Sequence, residues 1–193
     1  QDWAQFRGPN GQGISTAESI PVTWTDQDYN WRIKLPGPGH SSPVLWANQV
    51  FVTCAGPQAP AGIVLALDVR TGEELWRQRY SLTAYQHHGD NSYAAATPAA
   101  DADAVYVLWQ TARETIVAAL DHAGRELWRR DLPGVESRFG PGASPIVLDD
   151  LVVFTHEQEG ENLPSRWLAL DRRTGQTRWT VPRENTEISC STP

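Results

Sequence analysis

Ala66-Leu67-Asp68-Val69-Arg70-Thr71-Gly72-Glu73-Glu74-Leu75-Trp76 returns as Ala119-Leu120-Asp121-His122-Ala123-Gly124-Arg125-Glu126-Leu127-Trp128 and again as Ala169-Leu170-Asp171-Arg172-Arg173-Thr174-Gly175-Gln176-Thr177-Arg178-Trp179. In each copy an apolar run ends on Asp, Gly stands four residues before Trp, and the tryptophans follow one another at intervals of 52 and 51 residues. A fixed period near 50 built of strands and turns, without a helical pattern, predicts a propeller or a similar β array. The chemistry of the unit is local. Asp after an apolar run accepts hydrogen bonds from turn N–H groups, and Gly supplies the positive φ that closes the turn. Trp offers a large flat surface and one N–H donor, which suits it to staple its strand onto the neighbouring repeat.

Working outward, each copy is preceded by two further apolar or alternating segments and opened by Ser/Thr-Pro, at Pro43, Pro98 and Pro145, with a fourth at Pro193. The predicted fold is all-β: a propeller of four-stranded antiparallel blades over residues 42–80, 97–132 and 144–182, forming a partial ring. Residues 30–35 (Asn30-Trp31-Arg32-Ile33-Lys34-Leu35) match the outer-strand positions around Trp128 and read as an orphan outer strand, and 189–193 reads as the start of a further blade. Residues 1–29 are rich in Gly, Pro and Asn and form an irregular segment. Its four aromatics, Trp3, Phe6, Trp24 and Tyr29, imply that it packs against the rest. On this reading the C-terminal half of the ring is missing, and the isolated arc, with exposed sheet edges, is expected to associate.

The Ala-x-Asp, Gly, Trp pattern resembles the tryptophan-docking repeat of the PQQ-like β-propellers. That group includes quinoprotein dehydrogenases and the lipoprotein subunit of the outer-membrane β-barrel assembly machine. The opening Asp2-Trp3-Ala4-Gln5-Phe6-Arg7-Gly8-Pro9-Asn10-Gly11 resembles the mature start of secreted bacterial members, which implies export to the periplasm or beyond. For the dehydrogenases the resemblance implies PQQ between a Trp and a vicinal disulfide, with calcium held by carboxylate and amide groups. No Cys-Cys pair occurs in this sequence.

Composition narrows the partners. With 16 basic and 23 acidic residues the net charge is −7, which disfavours a nucleic-acid backbone. No apolar run reaches the roughly 18 residues of a membrane span. Cys54 and Cys190 lie in different repeats and read as structural or incidental.

In a propeller the segments that enter the inner strands converge on one face, and three of the five histidines lie in them. The candidate ligand-facing residues are His40, His87, His88, Asp90, Asn91, Tyr93, Arg138 and Phe139. A metal at His87, His88 and Asp90 is disfavoured, because adjacent histidines on extended chain point opposite ways. Asp101, Asp103, Asp149 and Asp150 sit at short hairpins, where acidic residues favour turns, so they are a poor calcium set. Ser41, Ser42, Ser92 and Ser144 lack the strand-elbow-helix setting of a nucleophile. The expected function is therefore a cofactor-free, exported binding or scaffold module for a protein or polysaccharide. The alternative is the N-terminal part of a PQQ- and calcium-dependent oxidoreductase.

Overall fold

Behind each Ser/Thr-Pro, in the computed structural model, the chain lays down four antiparallel strands side by side in chain order. Residues 2–160, 164–185, 187–189 and 192–193 are described. The first sheet is β1 (Val44–Trp46), β2 (Gln49–Ala55), β3 (Ala61–Asp68) and β4 (Glu74–Ser81). The second is β5 (Ala99–Ala100), β6 (Val105–Gln110), β7 (Glu114–Leu120) and β8 (Glu126–Pro133); the third is β9 (Ile146–Leu148), β10 (Leu151–His156), β11 (Ser165–Asp171) and β12 (Thr177–Arg183). The three sheets do not close on one another. They form the arc of a propeller.

Burial explains the strand compositions. β3, β6 and β7 are buried almost throughout, which is why they read as unbroken apolar runs rather than alternating ones. The fourth strands are the polar ones, exposed along their length except where one side turns toward the next sheet. The same irregularity recurs in all three sheets: the register between third and fourth strands shifts at Ala66/Leu67, Ala119/Leu120 and Ala169/Leu170. This bulge places Trp76, Trp128 and Trp179 opposite the Ala of the repeat.

The turns behave as their residues require. Asp68 Oδ1 accepts the Arg70 and Thr71 N–H groups at 2.8 and 3.0 Å, Asp121 those of Ala123 and Arg125 at 3.0 and 2.9 Å, and Asp171 those of Arg173 and Thr174 at 3.0 Å each. Gly72, Gly124 and Gly175 close them at φ of 72°, 82° and 68°. Each glycine is also a landing site. Trp31 covers Gly72, Trp76 covers Gly124 and Trp128 covers Gly175, with a Cβ at any of the three falling 2.6 Å from the indole. The indole N–H groups donate to Val69 O, His122 O and Arg172 O at 2.9, 2.9 and 2.8 Å.

Two expectations change. Trp76 and Trp128 are half-buried, but Trp179, read like them as a staple, is 37% exposed, because no repeat turn among the described residues covers it. Residues 30–35 carry no strand, since none of the described strands pairs with them, yet Trp31 docks as Trp76 and Trp128 do.

The N-terminal segment divides in two. Trp3 exchanges both backbone hydrogen bonds with Leu45 of β1 at 2.9 Å, and Ala4 O accepts the Ala100 N–H of β5 at 2.7 Å, so residues 3 and 4 bridge two sheets at their inner edges. The loop beyond folds back, with Trp3 over Gly8 at φ 67°. Trp24 and Tyr29, by contrast, are 63% and 48% exposed; the Thr25–Asp28 capping box makes a local turn that needs no packing partner.

Candidate functional site

The strand ends sort the connections onto two faces. The turns within each repeat, after the first and third strands, lie on one; the segments entering the inner strands and the links between second and third strands lie on the other, the loop face. His40 is tied to the second loop by its own N–H and that of Ser41, both donating to Ala94 O at 2.9 and 3.1 Å. Its Nδ1 lies 3.0 Å from Ser92 Oγ. Ser92 is buried, so this serine anchors a loop rather than meeting a substrate. Ser144 is likewise buried, its Oγ accepting the Thr97 N–H at 2.9 Å.

The remaining candidates come together between loops 82–98 and 134–145. Asn91 Nδ2 donates to Phe139 O at 2.9 Å while its Oδ1 accepts the Ser92 N–H at 2.7 Å, and the His88 N–H donates to Phe139 O at 3.3 Å. Gly140, at φ 87°, lets the third loop pass so close that a Cβ there would meet Asn91 Nδ2 at 2.7 Å. Around this junction the rings of Tyr85, His87 and Tyr93 pack mutually at 5.1 to 5.4 Å. His88 meets Phe139 at 5.9 Å, and the Arg138 guanidinium lies 4.6 Å from the Phe139 ring. Asp90, whose side chain is 95% exposed, faces His88 Nδ1 at 3.5 Å. Burial pushes the Tyr85 phenol up to about 12, so it is a neutral hydrogen-bonding group at any ordinary pH. The result is a preformed polar and aromatic surface with Phe139 47% exposed at its rim.

Glu157 was not among the sequence candidates. It is buried at the end of β10, pairs with Arg183, and accepts the Ser189 N–H and hydroxyl at 2.8 and 2.7 Å. Gln158 beside it crosses to the second repeat, accepting the Glu136 N–H at 2.7 Å and donating to Gly134 O at 2.9 Å. The only available signal was a run of polar residues ending a buried strand. Cys54 is buried; Cys190 and Ser191 lie outside the described residues.

On the opposite face the acidic hairpins serve structure. Arg172 Nη1 reaches Asp101 and Asp103 at 2.7 and 2.8 Å, and its Nε lies 3.8 Å from Asp150. Tyr106 donates to Asp101 at 3.0 Å. The Arg172 guanidinium thus occupies the place a cation would take among these carboxylates. Asp149 instead adopts a left-handed φ of 51° in the tight β9–β10 turn. Among the described residues no three His, Cys, Asp or Glu side chains gather as a metal site.

The protein-family model described as outer membrane protein assembly factor BamB matches residues 60–193. The chain belongs to that family. It is a PQQ-like propeller, and its solved structural relatives point the same way. A europium-containing methanol dehydrogenase superposes with a TM-score of 0.56 at 21% identity, over 76% of this chain and 25% of that one. The quinohemoprotein alcohol dehydrogenase of Comamonas testosteroni gives 0.52 at 19% identity over 76% and 21%, and that of Pseudomonas putida HK5 gives 0.55 at 19% over 79% and 22%. At these identities the likeness is one of fold, and the chain spans a quarter or less of each structure's length. No curated protein matches the sequence. No helix among the described residues is long and apolar enough to cross a membrane.

Proposed function

We propose that this chain is part of an exported, non-enzymatic PQQ-like propeller that binds a protein or polysaccharide partner across its loop face, through His40, His87, His88, Asp90, Asn91, Tyr93, Arg138 and Phe139. The observation that carries the reading is the Asn91 junction. It locks two loops of different repeats into one surface, so the aromatic and imidazole groups are ordered before any partner arrives. Rigid aromatic rings beside adaptable polar groups are what binding surfaces use. Membership of a family named for outer-membrane assembly supports export and a protein partner.

The competing reading, a piece of a PQQ-dependent oxidoreductase, draws on the dehydrogenase folds alone. Calcium needs six to eight oxygen donors. Of the carboxylates described, Asp101 and Asp103 are held by Arg172, and Glu157 is taken by Arg183 and Ser189. These residues do not fit that ion. Photocrosslinkers placed at His88 and Phe139 in the full protein, with Arg125 and Arg173 on the opposite face as controls, test the proposal. Adducts confined to the loop-face positions are expected; equal yields from both faces would overturn it. Addition of PQQ and calcium separates the readings, since quinone absorbance with dye reduction would establish the oxidoreductase.

A further inference from the structure

His156 closes β10 at the seam between the second and third sheets, and it is 1% exposed. Its Nε2 lies 2.9 Å from Pro133 O, the last carbonyl of β8 and the root of loop 134–145. For that contact to be a hydrogen bond the ring must carry its proton on Nε2. Nδ1 is then an acceptor, and it is buried without a partner. Directly opposite on the neighbouring strand, in register, stands Arg166, whose Nε is also buried without a partner. The ring therefore bridges the seam as a neutral group. A second proton would fall on this buried Nδ1, with only the residue's own carbonyl near it and the Arg166 charge opposing it.

Neighbouring charges offer no relief. Glu157, next along β10, is committed to Arg183 of β12 and to Ser189. Glu159 is held by Arg138, through both its backbone N–H and its guanidinium, and Glu114 of β7 by the Thr83 N–H. Glu136, in the loop leaving β8, meets this seam through its backbone, donating to Gln158.

We infer that His156 is an acid-sensitive latch between the second and third sheets: neutral it holds loop 134–145 to the end of β10, and protonated it opens that seam on the loop face. Burial, aided by the Arg166 charge, outweighs the Pro133 carbonyl's preference for the charged ring and holds its pKa below the ordinary value, which agrees with the geometry. The sign follows. An unfolded or opened state binds the proton at about pH 6.5 and the latched state only at lower pH. The latch is therefore at full strength above about pH 6.5 and weakens as pH falls from there toward the depressed pKa. At lower pH the loss levels off. The inference concerns the seam and does not depend on what the loop face binds.

Native-state hydrogen exchange in the full protein, corrected for the intrinsic pH dependence of exchange, reads the seam directly through the Glu136 and Glu159 amides, which donate across it to Gln158 Oε1 and Glu136 O. Between pH 7.5 and 5 their protection should fall by about tenfold or more. The amides of the seam between the first and second sheets should hold theirs. The variant His156→Gln keeps a donor for Pro133 O but cannot titrate, and should abolish this pH dependence. Equal loss at both seams, or an unchanged slope in His156→Gln, would overturn the inference. If the variant does not fold, the wild-type comparison of the two seams decides alone: loss confined to the His156 seam supports the latch, and its absence refutes it.

Discussion

The indole of Trp128 covers Gly175 so closely that a Cβ on that glycine would stand 2.6 Å from the ring, and its N–H closes the contact on Arg172 O at 2.8 Å. One residue of each sheet and one turn of the next make a joint. Gly175→Ala should destabilise the protein by about 2 to 4 kcal/mol, combining a left-handed φ with overpacking against the ring. Trp128→Ala should cost about 3 kcal/mol, whereas Trp179→Ala, at a residue whose indole has no docking turn among those described, should cost under about 1 kcal/mol in this chain. Urea titration of the three variants checks the ranking.

Arg172 holds two carboxylates and leans toward a third, with its own side chain only 16% exposed. Removing the cation in Arg172→Met leaves Asp101, Asp103 and Asp150 facing one another, at an expected cost of about 1 to 3 kcal/mol. Adding Asp101→Asn should recover part of it. A double-mutant cycle showing no coupling between the two positions would remove the basis for this cluster.

Turn hydrogen bonds hold three aspartates below the usual carboxylate range: Asp68 through the Arg70 and Thr71 N–H groups, Asp121 first through the Arg125 N–H, and Asp171 first through the Thr174 hydroxyl. A depressed folded pKa adds stability that is complete above the unfolded value of about 3.9 and is lost as pH falls through the folded one. The melting temperature should accordingly drop below about pH 4. Asp171→Asn should flatten part of that drop, which thermal melts from pH 6 to 2 will show.

Asn91 joins the two loops that carry the candidate surface. Asn91→Ala removes a donor and an acceptor at a half-buried site and should lower stability by about 1 kcal/mol. Its larger effect should be on order. Exchange protection at the His88 amide, which donates to Phe139 O, is expected to fall while the sheets keep theirs. Retained protection there would show that Gly140 and the ring contacts suffice.

The repeat was legible in the sequence because its parts are local. An Asp, a Gly and a Trp at fixed spacing act through hydrogen bonds and φ values that the nearest neighbours determine, so the twelve strands of the three sheets and their turns followed, while the strand expected over residues 30–35 did not form. The convergence of His87, Asn91 and Phe139 was legible one step further, from the rule that a propeller sends its inner-strand entries to one face. Arg172 and Glu157 were not. Their partners lie 71 residues away at Asp101 and 26 away at Arg183, separations with no period to reveal them. Trp24 and Tyr29 misled for a related reason: aromatic content reports a capacity for burial, while only a partner surface decides whether it is used.

Because each sheet packs against the next along the arc, through its indole and turn and through the loop-face contacts beside them, a pull on the two ends of the chain is carried in series rather than shared. The weakest joint bears the whole load. Under tension the arc should therefore yield one repeat at a time, each rupture releasing a length set by the 52- and 51-residue spacing of its tryptophans, roughly 170 Å of extended chain. Stretched in an optical trap, the molecule would trace a sawtooth whose tooth spacing is the repeat itself, written out as distance.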